Sequence, residues 1–115
     1  MKHCPDFKYD LKIGVAKEIE LLNIFETKTI EVKYDRKAHI TKNIFIEYES
    51  RDTPSGISKT HADYYCIIIK ELFHIIPTDI LKQKCRKYLG TSRDKLGGDN
   101  NTSRGILLPI TEIIY

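Results

Sequence analysis

The chain has 115 residues, of which 41% are hydrophobic and 30% are charged, a composition typical of one globular domain spanning residues 1–115. Its three cysteines, Cys4, Cys66 and Cys85, are far apart and form no CxxC pair, so the sequence indicates neither a disulfide framework nor a zinc ribbon. The net charge of +3 is mildly basic, so it permits an anionic partner without requiring one.

The sequence predicts a cytoplasmic protein. Residues 1–10 are polar and contain no apolar core of a signal peptide. The unbroken apolar runs are far shorter than the ~20 residues that cross a bilayer. We therefore expect reduced thiols and no membrane partner.

The first predicted element is a helix over residues 10–23. Four apolar residues recur at spacings of four, four and three: Leu11, Val15, Ile19 and Leu22. Gly14 lies inside this helix, and because an interior glycine costs about 1 kcal/mol relative to alanine, it predicts a close approach to the helix backbone. Spacing alone favours a solvated helix face for Glu18. Residues 24–27 are compatible with a short strand or a turn.

Residues 29–35 alternate as a strand does, with apolar side chains on one side and Glu31, Lys33 and Asp35 on the other. A carboxylate and a lysine two residues apart can hold a divalent cation and contact a phosphate. Tripeptides of an acidic residue, any residue and lysine occur five times here, so the tripeptide alone has little specificity. The Glu31 copy is distinguished by its place at the centre of a patterned strand.

A basic loop over residues 36–42 leads into a second predicted strand, residues 43–50. The short loop favours an antiparallel pair, in which a suitable register would put Glu47 on the same face as Glu31. Residues 64–69 form a nearly continuous apolar run and predict a strand covered on both faces, with residues 71–76 as its partner.

A second helix is predicted over residues 79–89. Residues 91–105 are rich in glycine and asparagine and indicate either a mobile surface loop or a flexible nucleic-acid contact. A final strand would follow from residue 106, where Pro109 indicates either an edge or a bulge. The predicted fold class is α/β, an α+β sandwich with a central mixed β-sheet flanked by helices.

The order of these motifs resembles the PD-(D/E)XK nuclease superfamily, in particular small phage-type members akin to Holliday-junction resolvases and restriction endonucleases. The resemblance covers residues 10–69. It is carried by the Gly14 to Glu18 helix, the Glu31-Val32-Lys33 strand, the strand that ends in Glu47, and the segment from Pro54-Ser55-Gly56-Ile57 through Thr60 to Ala62-Asp63-Tyr64.

This resemblance implies a restriction-endonuclease-like fold and Mg²⁺- or Mn²⁺-dependent hydrolysis of DNA, in the host-cell cytoplasm for a phage protein. The implied catalytic residues are Glu31, Lys33, Glu18 and Glu47. The implied metal ligands are Glu18, Glu31, the Val32 carbonyl and Glu47. Lys33 would position the attacking water and stabilise the transition state.

Basic residues would hold the DNA backbone, with Arg36, Lys37, His39 and Lys42 flanking the scissile phosphate and Arg51 and Lys59 further out. Each of these basic residues, taken alone, can also be interpreted as an ordinary solvated surface residue. Cleavage of two strands by so small a domain would favour a homodimer.

The sequence departs from the superfamily in one respect, because no Pro-Asp precedes Glu31. Glu26, a helix glutamate or Glu47 would have to supply the second carboxylate. If none of them reaches the metal, the alternative is a catalytically inactive DNA-binding module of the same fold. A third reading is a small structural or assembly protein whose acidic and basic strand is only a solvated face.

Overall fold

The computed structural model describes residues 5–114, with the backbone alone for residues 5–9 and 99. The helices are α1 Pro5–Thr27, α2 Ala38–Thr41 and α3 Thr78–Arg86. The strands are β1 Ile30–Asp35, β2 Asn43–Ser50, β3 Thr53–Pro54, β4 Tyr64–Ile69, β5 Leu72–Pro77, β6 Asp94–Gly97 and β7 Ser103–Pro109. Short 3₁₀ turns cover Gly56–Ser58, Asp99–Asn101 and Ile110–Glu112.

The mixed α/β class is confirmed, but the strands form two sheets and the expectation of a single central sheet is wrong. The first sheet has the order β1-β4-β5, with β1 parallel to β4 and β5 antiparallel to β4. The second sheet is antiparallel, in the order β3-β2-β7-β6. The predicted antiparallel pairing of β1 with β2 is therefore also wrong.

The partner of β2 explains this difference. Ile44 and Ile46 of β2 lie opposite Leu108 and Ile106 of β7, and all four side chains are buried. Pairing with β7 thus gives β2 an apolar neighbour along the core face, whereas β1 would have offered it Glu31 and Lys33.

Residues 91–105 are more ordered than their composition predicts, because they contain β6 and the start of β7. Pro109 does not mark an edge strand, since β7 lies between β2 and β6. Pro109 is the last residue of β7, where a missing N–H interrupts no ladder.

One core lies between the two sheets and α3. It includes Ile67 and Ile69 of β4, the β2 and β7 residues named above, and Leu81 and Cys85 of α3. Cys66 and Cys85 are free thiols, whereas Cys4 lies outside the described residues. Burial raises the pKa of the Cys85 thiol to about 12, so it stays protonated in the core.

Helix α1 continues through residues 24–27, where a short strand or turn was expected. Within the part of the chain that the structure describes, nothing lies within 4 Å of a Cβ built at Gly14, so the predicted close approach is absent from the single chain. No helix in residues 5–114 has both the length and the apolar character needed to cross a membrane.

A partly buried carboxylate, Asp94, links the two halves of the second sheet. Its Oδ1 accepts a hydrogen bond from the Tyr48 hydroxyl at 2.7 Å, and its Oδ2 accepts one from the Gly90 N–H at 2.9 Å. Burial opposes the charged form, but these bonds and the Arg104 guanidinium outweigh it and lower the pKa of Asp94. Burial and the Asp94 carboxylate raise the pKa of Tyr48 to about 12, so its hydroxyl remains a donor.

We expect Asp94→Asn to lower the free energy of unfolding by about 1–3 kcal/mol at pH 7, because a partly buried, hydrogen-bonded charge is lost. The pKa of Asp94 is lower in the folded chain than its ordinary value of 3.8. Its stabilisation is therefore complete above that value and is lost as the pH falls through the folded pKa. Urea unfolding at pH 7 and at about pH 3 measures the loss of unfolding free energy in the variant and its dependence on pH. A difference in unfolding free energy between wild type and variant that stays constant with pH contradicts the expectation.

Candidate active site

Strand β1 turns its polar side towards the other sheet and its apolar side outwards. Val32 and Tyr34 are each 62% exposed. Glu31 and Lys33 are in register with Tyr65 and Ile67 of β4, whose side chains are buried between the sheets. An isolated amphipathic strand would bury the opposite face, so this orientation places the charged pair at the boundary of the core.

Glu31, Lys33 and Glu47 line one cavity of about 210 Å³. The remaining lining residues are Phe45, Ile46, Gly56, Ile57 and Tyr65. The two glutamates come from strands of different sheets, so they meet across the gap between the sheets. The structure thus brings together three of the four predicted catalytic side chains. It does so across a cavity between two sheets, because β1 and β2 do not pair with each other.

A threonine hydroxyl holds the Glu31 carboxylate. Thr60 Oγ1 donates a hydrogen bond of 2.7 Å to Glu31 Oε2. Tyr65 lines the same cavity, and burial, followed by the Glu31 charge, raises the pKa of Tyr65 above its ordinary value of 10.0. The Tyr65 hydroxyl therefore stays protonated beside the carboxylate over the physiological range of pH.

The Glu47 carboxylate is held by the turn that follows β3. Ser55 Oγ donates a hydrogen bond of 2.9 Å to Glu47 Oε2. Gly56 has a φ of +50°, and a Cβ built there would lie 2.2 Å from the Glu47 carbonyl oxygen. Only glycine permits this turn to approach β2 so closely.

The register of β2 against β7 shifts between Glu47 and Glu49. An extra residue in one strand bends it and changes the direction of its side chains, and such bulges are common beside functional sites. The irregularity lies at the residue whose carboxylate enters the cavity.

Lys33 differs from the two glutamates because its ammonium makes no hydrogen bond or ion pair with any residue in the described range. It is half-buried at the cavity wall. A cation in this position is available to an anionic ligand, such as a phosphate.

The start of β1 is fixed by Asp63, which immediately precedes β4. Asp63 Oδ2 accepts hydrogen bonds from the Thr29 backbone N–H at 3.0 Å and from its hydroxyl at 3.1 Å. These bonds, the backbone one first, lower the pKa of Asp63. The ionised carboxylate thus ties together the beginnings of the parallel strands that carry Glu31 and Tyr65.

Glu18 is not brought to the cavity within the single chain. It is exposed on α1, whose residues Leu21 and Ile24 lie beside Tyr64 and Ile75. Those two residues belong to the face of the first sheet opposite to that of Glu31 and Tyr65. Glu26 is also on α1 and does not line the cavity, so of the three candidates for a second carboxylate it is Glu47 that the fold places near Glu31.

The predicted DNA contacts lie at different distances from the cavity. Lys59 is exposed between Ile57, which lines the cavity, and Thr60, which contacts Glu31. Arg36 follows the far end of β1, five residues from Glu31, or about 16 Å at ~3.3 Å per residue. Lys37, His39 and Lys42 lie in or beside α2 at that same end. Arg51 is exposed in the turn after β2.

The carboxylate oxygens of Glu31 and Glu47 are the hard donors that Mg²⁺ and Mn²⁺ prefer, and the Val32 carbonyl belongs to the same strand as Glu31. Among the described residues no group of three or more histidine, cysteine, aspartate or glutamate side chains is placed to hold a metal ion. Mg²⁺ is commonly bound by one or two carboxylates together with water and substrate phosphates, so the donor set fits a substrate-assisted site.

No family model, no curated protein and no solved structure matches the chain.

Sequence reasoning assigned no role to Ser55, Thr60 or Tyr65. The signal for Ser55 was the Pro54-Ser55-Gly56 turn, since hydroxyl side chains in tight turns are well placed to hydrogen-bond nearby acceptors. Tyr65 belongs to an apolar run, and nothing in that run indicates that its hydroxyl faces a carboxylate. Asp35 shares the face of Glu31, but its Oδ1 accepts a 2.9 Å hydrogen bond from the Lys37 N–H and shapes the turn.

Proposed function

We propose that this chain is a metal-dependent DNA endonuclease that hydrolyses phosphodiester bonds at the cavity of Glu31, Lys33 and Glu47. The observation that carries the proposal is the shared cavity itself, which collects from two sheets two carboxylates and an ammonium that has no partner among the described residues. The restriction-endonuclease-like fold and the membership of the PD-(D/E)XK superfamily are part of the same proposal.

The chemistry of phosphodiester cleavage matches this set of side chains. The reaction needs a nucleophilic water and neutralisation of charge on the phosphoryl oxygens. A bound Mg²⁺ or Mn²⁺ supplies charge neutralisation and a more acidic water. Glu31 and Glu47 would hold the ion, with the Val32 carbonyl as a third oxygen donor.

The chain's own residues prepare the site before substrate binds. Hydrogen bonds from Thr60 and Ser55 fix the two carboxylates in orientation, which reduces the reorganisation required during the reaction. The Lys33 ammonium, which pairs with no residue that the structure describes, would contact the phosphoryl oxygens, where negative charge grows in the transition state. It would also orient the attacking water.

The basic residues would bind the DNA backbone on either side of the cavity. Lys59 is adjacent to the cavity and would contact the phosphates nearest to the cleaved bond. The Arg36 to Lys42 segment, about 16 Å away along β1, would contact phosphates several nucleotides further along the strand. Arg51 would extend the contact beyond the end of β2.

A cleavage assay tests the proposal. Purified protein is incubated with supercoiled plasmid and with a four-way DNA junction, in Mg²⁺, in Mn²⁺ and in excess chelator. We expect nicking or junction cleavage that requires the divalent ion and stops when the chelator removes it. Cleavage that is unchanged by the chelator, or absent from every substrate under all conditions, contradicts the proposed function.

The inactive DNA-binding module stays as a second candidate, favoured by the lack of a three-carboxylate group among the described residues. Calorimetric titration with Mn²⁺ separates the two. A nuclease should bind the ion in a manner that Glu31→Gln weakens. A binding module should bind DNA with a salt-dependent affinity and show no such ion site.

A further inference from the structure

Helix α1 is apolar on more than one side, yet it is almost uncovered in the single chain. Of its described side chains, residues 10–27, Ile24 is the one that is buried. The four residues of the apolar stripe, Leu11, Val15, Ile19 and Leu22, are between 48% and 62% exposed. A helix that is apolar around most of its circumference is normally enclosed on both sides.

The stripe faces away from the chain's own sheet. At 100° per residue its four members lie within about 80° of helix surface, roughly 150° around the helix from Lys17, Leu21 and Ile24. Those three residues are the ones that face Tyr64 and Ile75. The stripe is therefore free to contact another molecule, and α1 approaches its own sheet only near Leu21 and Ile24.

A second uncovered apolar surface lies on the outer face of the first sheet. The register of β1, β4 and β5 puts only apolar and aromatic residues on this face. Its part beyond α1 exposes Val32 and Tyr34, each at 62%, and Phe73, at 69%. Continuous exposed apolar surface of this kind marks an interaction site.

The single chain is more extended than a compact globular chain of the same length. The radius of gyration is 17.7 Å and the longest extent is 64 Å, against 30 and 24 Å for the others. A compact chain of this length would have a radius of gyration of about 13 Å. At ~150–250 Å² for a free aromatic side chain, the exposed parts of Tyr34 and Phe73 amount to roughly 200–330 Å² per chain, and Val32 and the four stripe residues add to this area. A stable interface needs about 800 Å² per partner.

We propose that a second copy of this chain covers both surfaces, giving a homodimer in which the two α1 helices lie between the two outer sheet faces. Each α1 contacts its own sheet through Leu21 and Ile24 and the partner through its stripe. A two-fold axis covers both surfaces on both chains with one interface, because the helix stripe and the sheet patch belong to the same molecule. An unrelated partner would have to supply a matching surface for each.

Light scattering coupled to size exclusion tests this with the full chain, at about 100 µM, well above a micromolar dissociation constant. The expected mass is about 27 kDa, twice the 13.4 kDa of the chain. Leu22→Glu and Val32→Glu should each raise the dissociation constant at least ~100-fold, because each buries a charge in the interface. Both side chains are more than half exposed in the single chain, so the variants should keep its fold, as circular dichroism would report.

Ala16→Glu is the matched control, since residue 16 is exposed on α1 about 105° from the centre of the stripe. It should leave the dimer intact. A wild-type mass of 13.4 kDa in light scattering overturns the proposal. A monomer that sediments with anionic phospholipid vesicles overturns it as well, because a membrane would then cover the apolar surface. The proposal is also overturned if the dimer survives either Leu22→Glu or Val32→Glu. It is overturned as well if Ala16→Glu dissociates the dimer to the same extent as these two variants do.

Discussion

Glu31→Gln is expected to lower the rate of metal-dependent DNA cleavage by about 10²- to 10⁴-fold. Glutamine keeps the size of the side chain and an oxygen that can accept the Thr60 hydrogen bond, so the cavity should keep its shape. What it removes is the negative charge that would hold the divalent ion. Single-turnover cleavage of plasmid DNA at several Mn²⁺ concentrations measures the loss and its partial recovery at high Mn²⁺.

Lys33→Met tests the other half of the same site. Methionine keeps the apolar stem and removes the ammonium that faces the cavity without a partner in the described chain. Cleavage should fall to a similar extent, whereas Mn²⁺ binding should be retained because both carboxylates remain. This separation of ion binding from turnover would distinguish a transition-state role from a structural one.

Two charge-matched substitutions serve as controls. Glu49→Gln removes a carboxylate two residues along β2 from Glu47, and Lys95→Met removes an ammonium on β6, at the other edge of the second sheet. Neither residue lines the cavity. Both should cleave DNA as the wild type does, and if Glu31→Gln and Lys33→Met do so as well, the active site is wrongly assigned.

Gly56→Ala is expected to lower the free energy of unfolding by about 2–5 kcal/mol. Two causes add. The φ of +50° is unfavourable for a side chain, and the new Cβ would lie 2.2 Å from the Glu47 carbonyl oxygen, which is backbone and cannot rotate away. The turn and β2 must separate, so the Ser55 hydrogen bond to Glu47 should be lost and cleavage should fall. Chemical unfolding and the cleavage assay measure the two effects.

Gly90→Ala separates the two causes. Gly90 has a similar conformation, with a φ of +74°, but within the described residues nothing lies within 4 Å of a Cβ built there. It should therefore lose only the ~1–2 kcal/mol of left-handed backbone strain and keep full activity. Equal losses of stability for the two variants would show that the contact between Gly56 and Glu47 has no energetic role.

The elements that the sequence predicted well are those with a strong local pattern. Residues close together in the sequence set each of these patterns. The patterns are the stripe of α1, the alternation of β1 and β2, and the apolar run of β4. The strands missed in residues 91–105 lack such a pattern. Gly97 and Gly105 lie in them because larger side chains would collide with Phe45, a constraint that only the packed sheet reveals.

The sequence by itself determined which residues could form a site, because a carboxylate and a lysine two apart on a strand must share a face. It did not determine which carboxylate would complete the set, since Glu18, Glu26 and Glu47 were equally available along the chain. The tertiary structure decided that, by placing β1 and β2 in separate sheets that line one cavity, with Gly56 and Ser55 holding Glu47 and with α1 carrying Glu18 to the opposite face. Side-chain alternation is a property of a few neighbouring residues, whereas the convergence of strands is fixed by the burial of apolar side chains that lie far apart in the chain.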